Sequence, residues 1–131
     1  MAYRFHKHYS LDEARALLPE IREWLKDAAR IRKDLEKFEE RLSSLMGPGL
    51  DLGGKLVNDW ARTIAEFKSV LLKFHRREIQ IKDLDRGLID FPAVIGGKEV
   101  FLCWEQDEDD IEFWHDLDTG YAGRERLSGF E

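Results

Sequence analysis

Seven residues, Val57, Trp60, Ile64, Phe67, Leu71, Phe74 and Glu78, follow one another at intervals of three and four without error. Only an α-helix puts such a series on one face. An earlier series has the same character: Leu11, Ala14, Leu18, Ile21, Leu25 and Ala28, then Ile31, Leu35, Phe38, Leu42 and Leu45, with one short step at Ile31. Ser10-Leu-Asp-Glu13 opens it as a capping box, the hydroxyl accepting from the Glu13 amide and the carboxylate reaching back. Pro19 lacks a backbone donor and is expected to kink this helix or to end a first short one. Between the two seams lies MGPGLDLGG, residues 46–54, whose glycines and proline cannot continue a helix. The expectation is a long antiparallel, coiled-coil-like α-helical hairpin, 10–46 and 55–80. Trp24, Val70 and Leu72 fall off the main seam and must be covered by the sheet or by another subunit; a homodimer is the expectation.

After Asp83 the period drops from helical to two. Residues 88–95 and 98–104 are rich in β-branched and aromatic side chains and flank Gly96-Gly97, a two-residue hairpin signal. If Ile95 faces Lys98, Asp90 faces Cys103 and Phe91 faces Leu102. Residues 111–117 supply a third strand, 118–131 read as an irregular tail, and 4–9 alternate as an extended arm or an added N-terminal strand. The fold class is α+β: a helical hairpin followed by a small antiparallel three-stranded β-sheet, residues 88–117, in a single domain 1–131.

One cysteine, Cys103, excludes an intrachain disulfide, and no apolar run suits a signal peptide or a membrane span. A cytoplasmic location is expected. The net charge of -6 is concentrated in residues 105–131, which carry ten acidic and two basic residues. No clustered basic face announces a nucleic-acid footprint.

The run KDLDRGLIDFPA, a glycine turn, EVFLCWEQDE and FWHDLDTGYAGR together resemble an uncharacterised bacterial family, the domain-of-unknown-function family 2203. The likeness extends from SLDEARALLPEIR to Arg124. Where the family has a glycine after the LCW segment this chain has Asp107, and where it has a proline near the last arginine this chain has Arg126. The resemblance implies a fold and no activity, substrate or cofactor.

Candidate chemistry falls in the last third of the chain. Asp90 stands within an apolar strand, where a carboxylate must be solvated, paired to Arg86 or Arg124, or ligating. His115 is either a structural histidine, bonded to a carbonyl or to Asp116, or a metal ligand or general base oriented by Asp90, Glu105 or Glu108. Glu105, Asp107, Glu108, Asp109 and Asp110 make an acidic loop that reads as solvated, although it suits a hard cation. Cys103 reads as a small core hydrophobe rather than a nucleophile activated by His115, and His6 and His8 as exposed side chains rather than members of a metal site formed by a paired first strand. Arg124, between glycines, pairs with an internal carboxylate such as Asp90 or Asp118, or grips an anion. Trp60, Trp104 and Trp114 read as packing residues, the last two flanking the acidic loop.

Two functional readings follow. In the one favoured by the absence of catalytic motifs, a non-enzymatic oligomeric protein presents Asp90, Trp104, Glu108, Trp114, His115 and Arg124 to a protein partner. In the other, a small metal-binding protein or enzyme uses Asp90, Glu108 and His115 as ligands for a divalent metal or as acid and base, with Arg124 as an anion clamp.

Overall fold

The computed structural model describes residues 2–45 and 54–127. Two helices precede an antiparallel sheet, so the fold is α+β: α1 spans Leu11–Leu45, α2 Lys55–His75, β1 Gln80–Asp83, β2 Leu88–Ile95, β3 Lys98–Glu105, β4 Phe113–Asp116 and β5 Glu125–Arg126. A short 3-10 turn, Tyr121–Gly123, lies between β4 and β5. The chain divides into two compact units, residues 1–23 with 74–131 and residues 24–73. The expected glycine-rich turn, apart from Gly54, and residues 128–131 of the tail lie outside the described residues.

The second unit contains the C-terminal part of α1 and most of α2. It buries Trp24, Leu25, Ala28, Ile31 and Val70, while Leu35, Phe38, Leu42, Val57, Trp60, Ile64, Phe67 and Leu71 stay half-buried. Lys73 Nζ lies over the Trp24 ring at 5.9 Å.

The first unit holds the sheet, whose strands follow one another in the order β1-β2-β3-β4-β5. The hairpin register is the expected one: Ile95 opposite Lys98, Phe91 opposite Leu102, Asp90 opposite Cys103. Gly96 and Gly97, at φ 58° and 79°, take the left-handed conformations that a tight two-residue turn demands. The sheet has five strands rather than three, because β1 and β5 flank the expected meander, and the third strand is trimmed to 113–116.

The N-terminal turns of α1 bury Ala14, Leu18 and Ile21. The capping box is in place, the Glu13 amide donating to Ser10 Oγ at 3.1 Å and the Ser10 amide to Glu13 Oε1 at 3.0 Å. The helix runs unbroken through the exposed Pro19, so no short first helix precedes it.

The second helix stops five residues before the expected end at 80. The Ile79 amide donates to the Phe74 carbonyl at 3.1 Å and the Glu78 amide to the His75 carbonyl at 3.0 Å. That pair of bonds is the Schellman motif, with Glu78 in the left-handed position at φ 56° that glycine usually fills. Ile79 and Phe74, the two residues whose apolar contact accompanies such a motif, are both buried.

Residues 2–9 form an extended arm rather than an added strand. One backbone bond ties it to the sheet, from the Tyr9 amide to the Pro92 carbonyl at 2.7 Å. Two carboxylates hold the amides of residues 4–7. Glu99 accepts from the Arg4 and Phe5 amides at 2.7 and 3.0 Å and meets His8 Nε2 at 2.7 Å. Glu78 accepts from the His6 and Lys7 amides, both at 2.8 Å, and meets His6 Nδ1 at 3.1 Å. His6 and His8 therefore belong to the arm's fastening.

Candidate metal centre

Strand parity sorts the polar residues. Asp90, Cys103 and Phe113 stand opposite one another across β2, β3 and β4, so they share a face of the sheet with His115, two residues beyond Phe113. Ile89, Trp104, Leu102 and Trp114 share the other. On that second face the Arg22 guanidinium stacks over Trp104 at 4.9 Å, and Arg15 donates to the Ile111 carbonyl at 3.1 Å.

The six residues expected to form one presented surface therefore do not. Trp104 is fully buried and Trp114 half-buried on the opposite face from Asp90 and His115, which are themselves only 1% and 2% exposed. The pleat, which alternates side chains between faces, separates them.

Asp90 pairs with neither Arg86 nor Arg124. His115 Nε2 lies 2.9 Å from Asp90 Oδ2, and His115 Nδ1 lies 2.7 Å from the Asp116 carbonyl. A carbonyl only accepts, so Nδ1 carries a proton and the second proton of the pair is shared between Nε2 and Oδ2. Burial pulls the imidazolium toward deprotonation, but the Asp90 hydrogen bond, the Asp116 carbonyl and the Asp90 charge outweigh it. The His115 pKa is raised above its ordinary 6.5.

Asp90 Oδ1, in contrast, has no hydrogen-bond partner among the described residues. An open carboxylate oxygen at this depth costs free energy unless something binds it. Cys103 stands beside it. One donor atom each from Asp90, Cys103 and His115 lie within 4.8 Å of one another. Burial first, then the Asp90 charge and the thiol's hydrogen bond to Asp90, push Cys103 up to about 12 against the opposing pull of Arg124. Cys103 is a protonated thiol at neutral pH and no activated nucleophile.

A cavity of about 210 Å³ opens on these three residues, walled by Lys82, Leu88, Leu117, Asp118, Gly120 and Tyr121. The turn before β5 lies along its rim. Arg124 Nη1 donates to both Glu108 oxygens at 3.1 and 3.2 Å, and its guanidinium stacks on Phe113 at 3.9 Å and Tyr121 at 4.2 Å. Arg86 covers Tyr121 at 4.5 Å and grips Glu105 through two nitrogens at 3.0 and 3.1 Å. Burial lowers the Arg124 pKa, but Glu108 more than compensates, so it is raised above the ordinary value.

The acidic loop is consequently held by arginines instead of being merely solvated. Glu105 goes to Arg86, Glu108 to Arg124, Asp110 to Arg15 at 2.9 Å, and Arg22 donates to the Gln106 and Glu108 carbonyls, both at 2.9 Å. Glu108 also accepts from the Glu105 amide at 2.8 Å and is no member of the Asp90 cluster. Its expected place beside Asp90 and His115 is held by Cys103, buried as a core residue and read in the sequence as no more than that. The hairpin register, placing Cys103 opposite Asp90, held the signal.

Among the described residues no helix is long and apolar enough to cross a membrane. No curated protein and no solved structure matches the chain. A family model described as "Uncharacterized conserved protein (DUF2203)" matches residues 7–127, a stretch that includes the Asp90 cluster and the arginine-held loop, and the chain belongs to this family.

Proposed function

We propose that this chain is a small metalloprotein that holds a divalent ion of the zinc class between Asp90, Cys103 and His115. The observation that carries the reading is the clustering of three donor atoms of different chemistry within 4.8 Å, all buried, with one Asp90 oxygen open. Zinc-to-ligand bonds of about 2.0–2.3 Å set tetrahedral donors roughly 3.3–3.8 Å apart, so donors within 4.8 Å of one another need to close by about 1.5 Å at most. His115 already donates its other ring proton to a carbonyl, the outer contact that fixes the tautomer of a ligating imidazole. An ion would displace the proton shared with Asp90 and the thiol proton, bringing the sulfur to thiolate. A thiolate ligand favours zinc over the hard cations suggested by the acidic loop. Arg124, bound to Glu108, supports the wall of the site rather than clamping an anion.

Calorimetric titration of the reduced protein with zinc tests this. One equivalent should bind, and His115→Ala and Cys103→Ser, checked as folded by circular dichroism, should each lose most of the affinity. No zinc binding, or binding that both variants leave unchanged, would sink the proposal. A single thiol kept reduced fits the cytoplasmic location expected from the sequence.

A second reading, dimerisation through a coiled-coil-like hairpin, is favoured by the second unit. Lys73 over Trp24, and a groove shared by Phe38, Arg41, Thr63 and Glu66, support an antiparallel pairing of α1 and α2. The half-buried seam residues and Leu72, 40% exposed, are apolar surface that a second copy would cover. Sedimentation equilibrium should give a dimer that Leu72→Lys weakens. A monomer at every concentration removes this reading without touching the metal centre.

A further inference from the structure

We infer that the metal centre is an open one, whose fourth position faces the cavity and takes a small oxyanion, a carboxylate or a phosphate, with Lys82 facing its charge; this rests on the metal reading above. Three observations lead there.

First, the protein supplies three donors. Among the described residues no fourth histidine, cysteine, aspartate or glutamate joins the cluster, and Glu108 is committed to Arg124. A zinc-class ion with three protein ligands keeps a position for water or an exogenous group, the arrangement that separates catalytic from structural sites.

Second, the space beyond that position is bounded. At about 30 Å³ per water, 210 Å³ corresponds to about seven waters. That suits a small acid and falls short of the roughly 300 Å³ at which sites for drug-sized ligands begin. Leu88 and Leu117 give the cavity apolar walls beside its polar floor.

Third, the charges favour an anion. Asp90 and a Cys103 thiolate neutralise a divalent ion. Of the two charged residues on the wall, Asp118 already has a counter-charge in Arg4 Nη2 at 3.3 Å. Lys82 has no carboxylate within ion-pair distance among the described residues, and its ammonium rests over Phe101 at 4.9 Å, on the same side of the sheet as His115. The wall therefore holds a cation that no carboxylate among the described residues reaches within ion-pair distance.

The reduced protein loaded with one equivalent of cobalt(II) provides the test. Acetate and inorganic phosphate are titrated in separate arms while the visible ligand-field bands are recorded. A saturable one-to-one change in either arm is expected, and the responding arm identifies the oxyanion. Lys82→Ala, an exposed position, should weaken that anion about fivefold and leave cobalt affinity unchanged. Cobalt held with a thiolate charge-transfer band but indifferent to both anions overturns the open site alone. A response that Lys82→Ala does not weaken overturns the part given to Lys82. Failure to take up cobalt overturns the metal reading itself.

Discussion

Asp90 and His115 form a buried hydrogen-bonded acid–base pair, and its energetics are asymmetric. Assembling such a pair gains little net stability, whereas removing one member strands the other in a low-dielectric setting at about 3–5 kcal/mol. His115→Ala should therefore destabilise the metal-free protein by about that much in urea denaturation. Asp90→Val combined with His115→Phe should cost less than the two single substitutions together. Strict additivity would mean that the pair is not coupled. The same asymmetry explains why the site was only half legible. An aspartate in an apolar strand advertises itself, and the two-glycine turn sets it opposite Cys103. A strand cysteine, however, looks like any small hydrophobe, and the intervening loop hides the register that brings His115 alongside. The acidic run suggested a solvated loop because arginines distant in sequence, Arg15 and Arg22 above all, cannot be assigned to it by pattern.

At the scale of elements, Glu78 does two things. It ends α2 in a left-handed conformation that costs a non-glycine residue about 1–2 kcal/mol, and its carboxylate holds the arm. Glu78→Ala keeps the strain and loses the bonds, an expected loss of about 1–3 kcal/mol; Glu78→Gly relieves the backbone and should recover about 1 kcal/mol of it. Equal stabilities of the two variants would contradict the strained cap. This helix end was invisible in sequence, because a glutamate at a seam position continues the helical pattern that a glycine would have broken. The expected helix end at 80 reaches the first residue of β1 for that reason, and β5, only two residues long, is too short to carry a period.

The arm's fastening is pH-dependent with a definite sign. The Lys7 amide chiefly, helped by His6 against the opposing effect of burial, holds the Glu78 carboxyl below its ordinary 4.5. At Glu99 burial works the other way but is outweighed by His8, the Phe5 amide and the Arg4 amide, so its carboxyl is also lowered. Depressed carboxyls contribute stability above the ordinary value and lose it as pH falls through the lower folded one. Amide proton shifts of Phe5 and Lys7 should titrate with midpoints below 4.5, and Glu99→Gln should abolish the transition at Phe5. Midpoints at or above 4.5 would show that the carboxylates do not hold the arm.

For the molecule as a whole, one sheet face is spent on packing, and the other keeps a polar cluster beside the turn before β5. Long seams and a glycine turn make the α+β architecture readable, since each repeats a period over many residues. A three-strand cluster repeats nothing. If that cluster is a metal centre, zinc at a hundred times its Kd should stabilise the fold by about 2.7 kcal/mol, and His115→Ala should abolish the gain. The most direct measurement is the near-ultraviolet absorption of the reduced protein during cobalt(II) titration. A thiolate-to-cobalt charge-transfer band that saturates at one equivalent, and is absent from Cys103→Ser, is predicted. A cobalt titration of the folded protein that develops no such band would contradict the assignment of Asp90, Cys103 and His115 as a metal site.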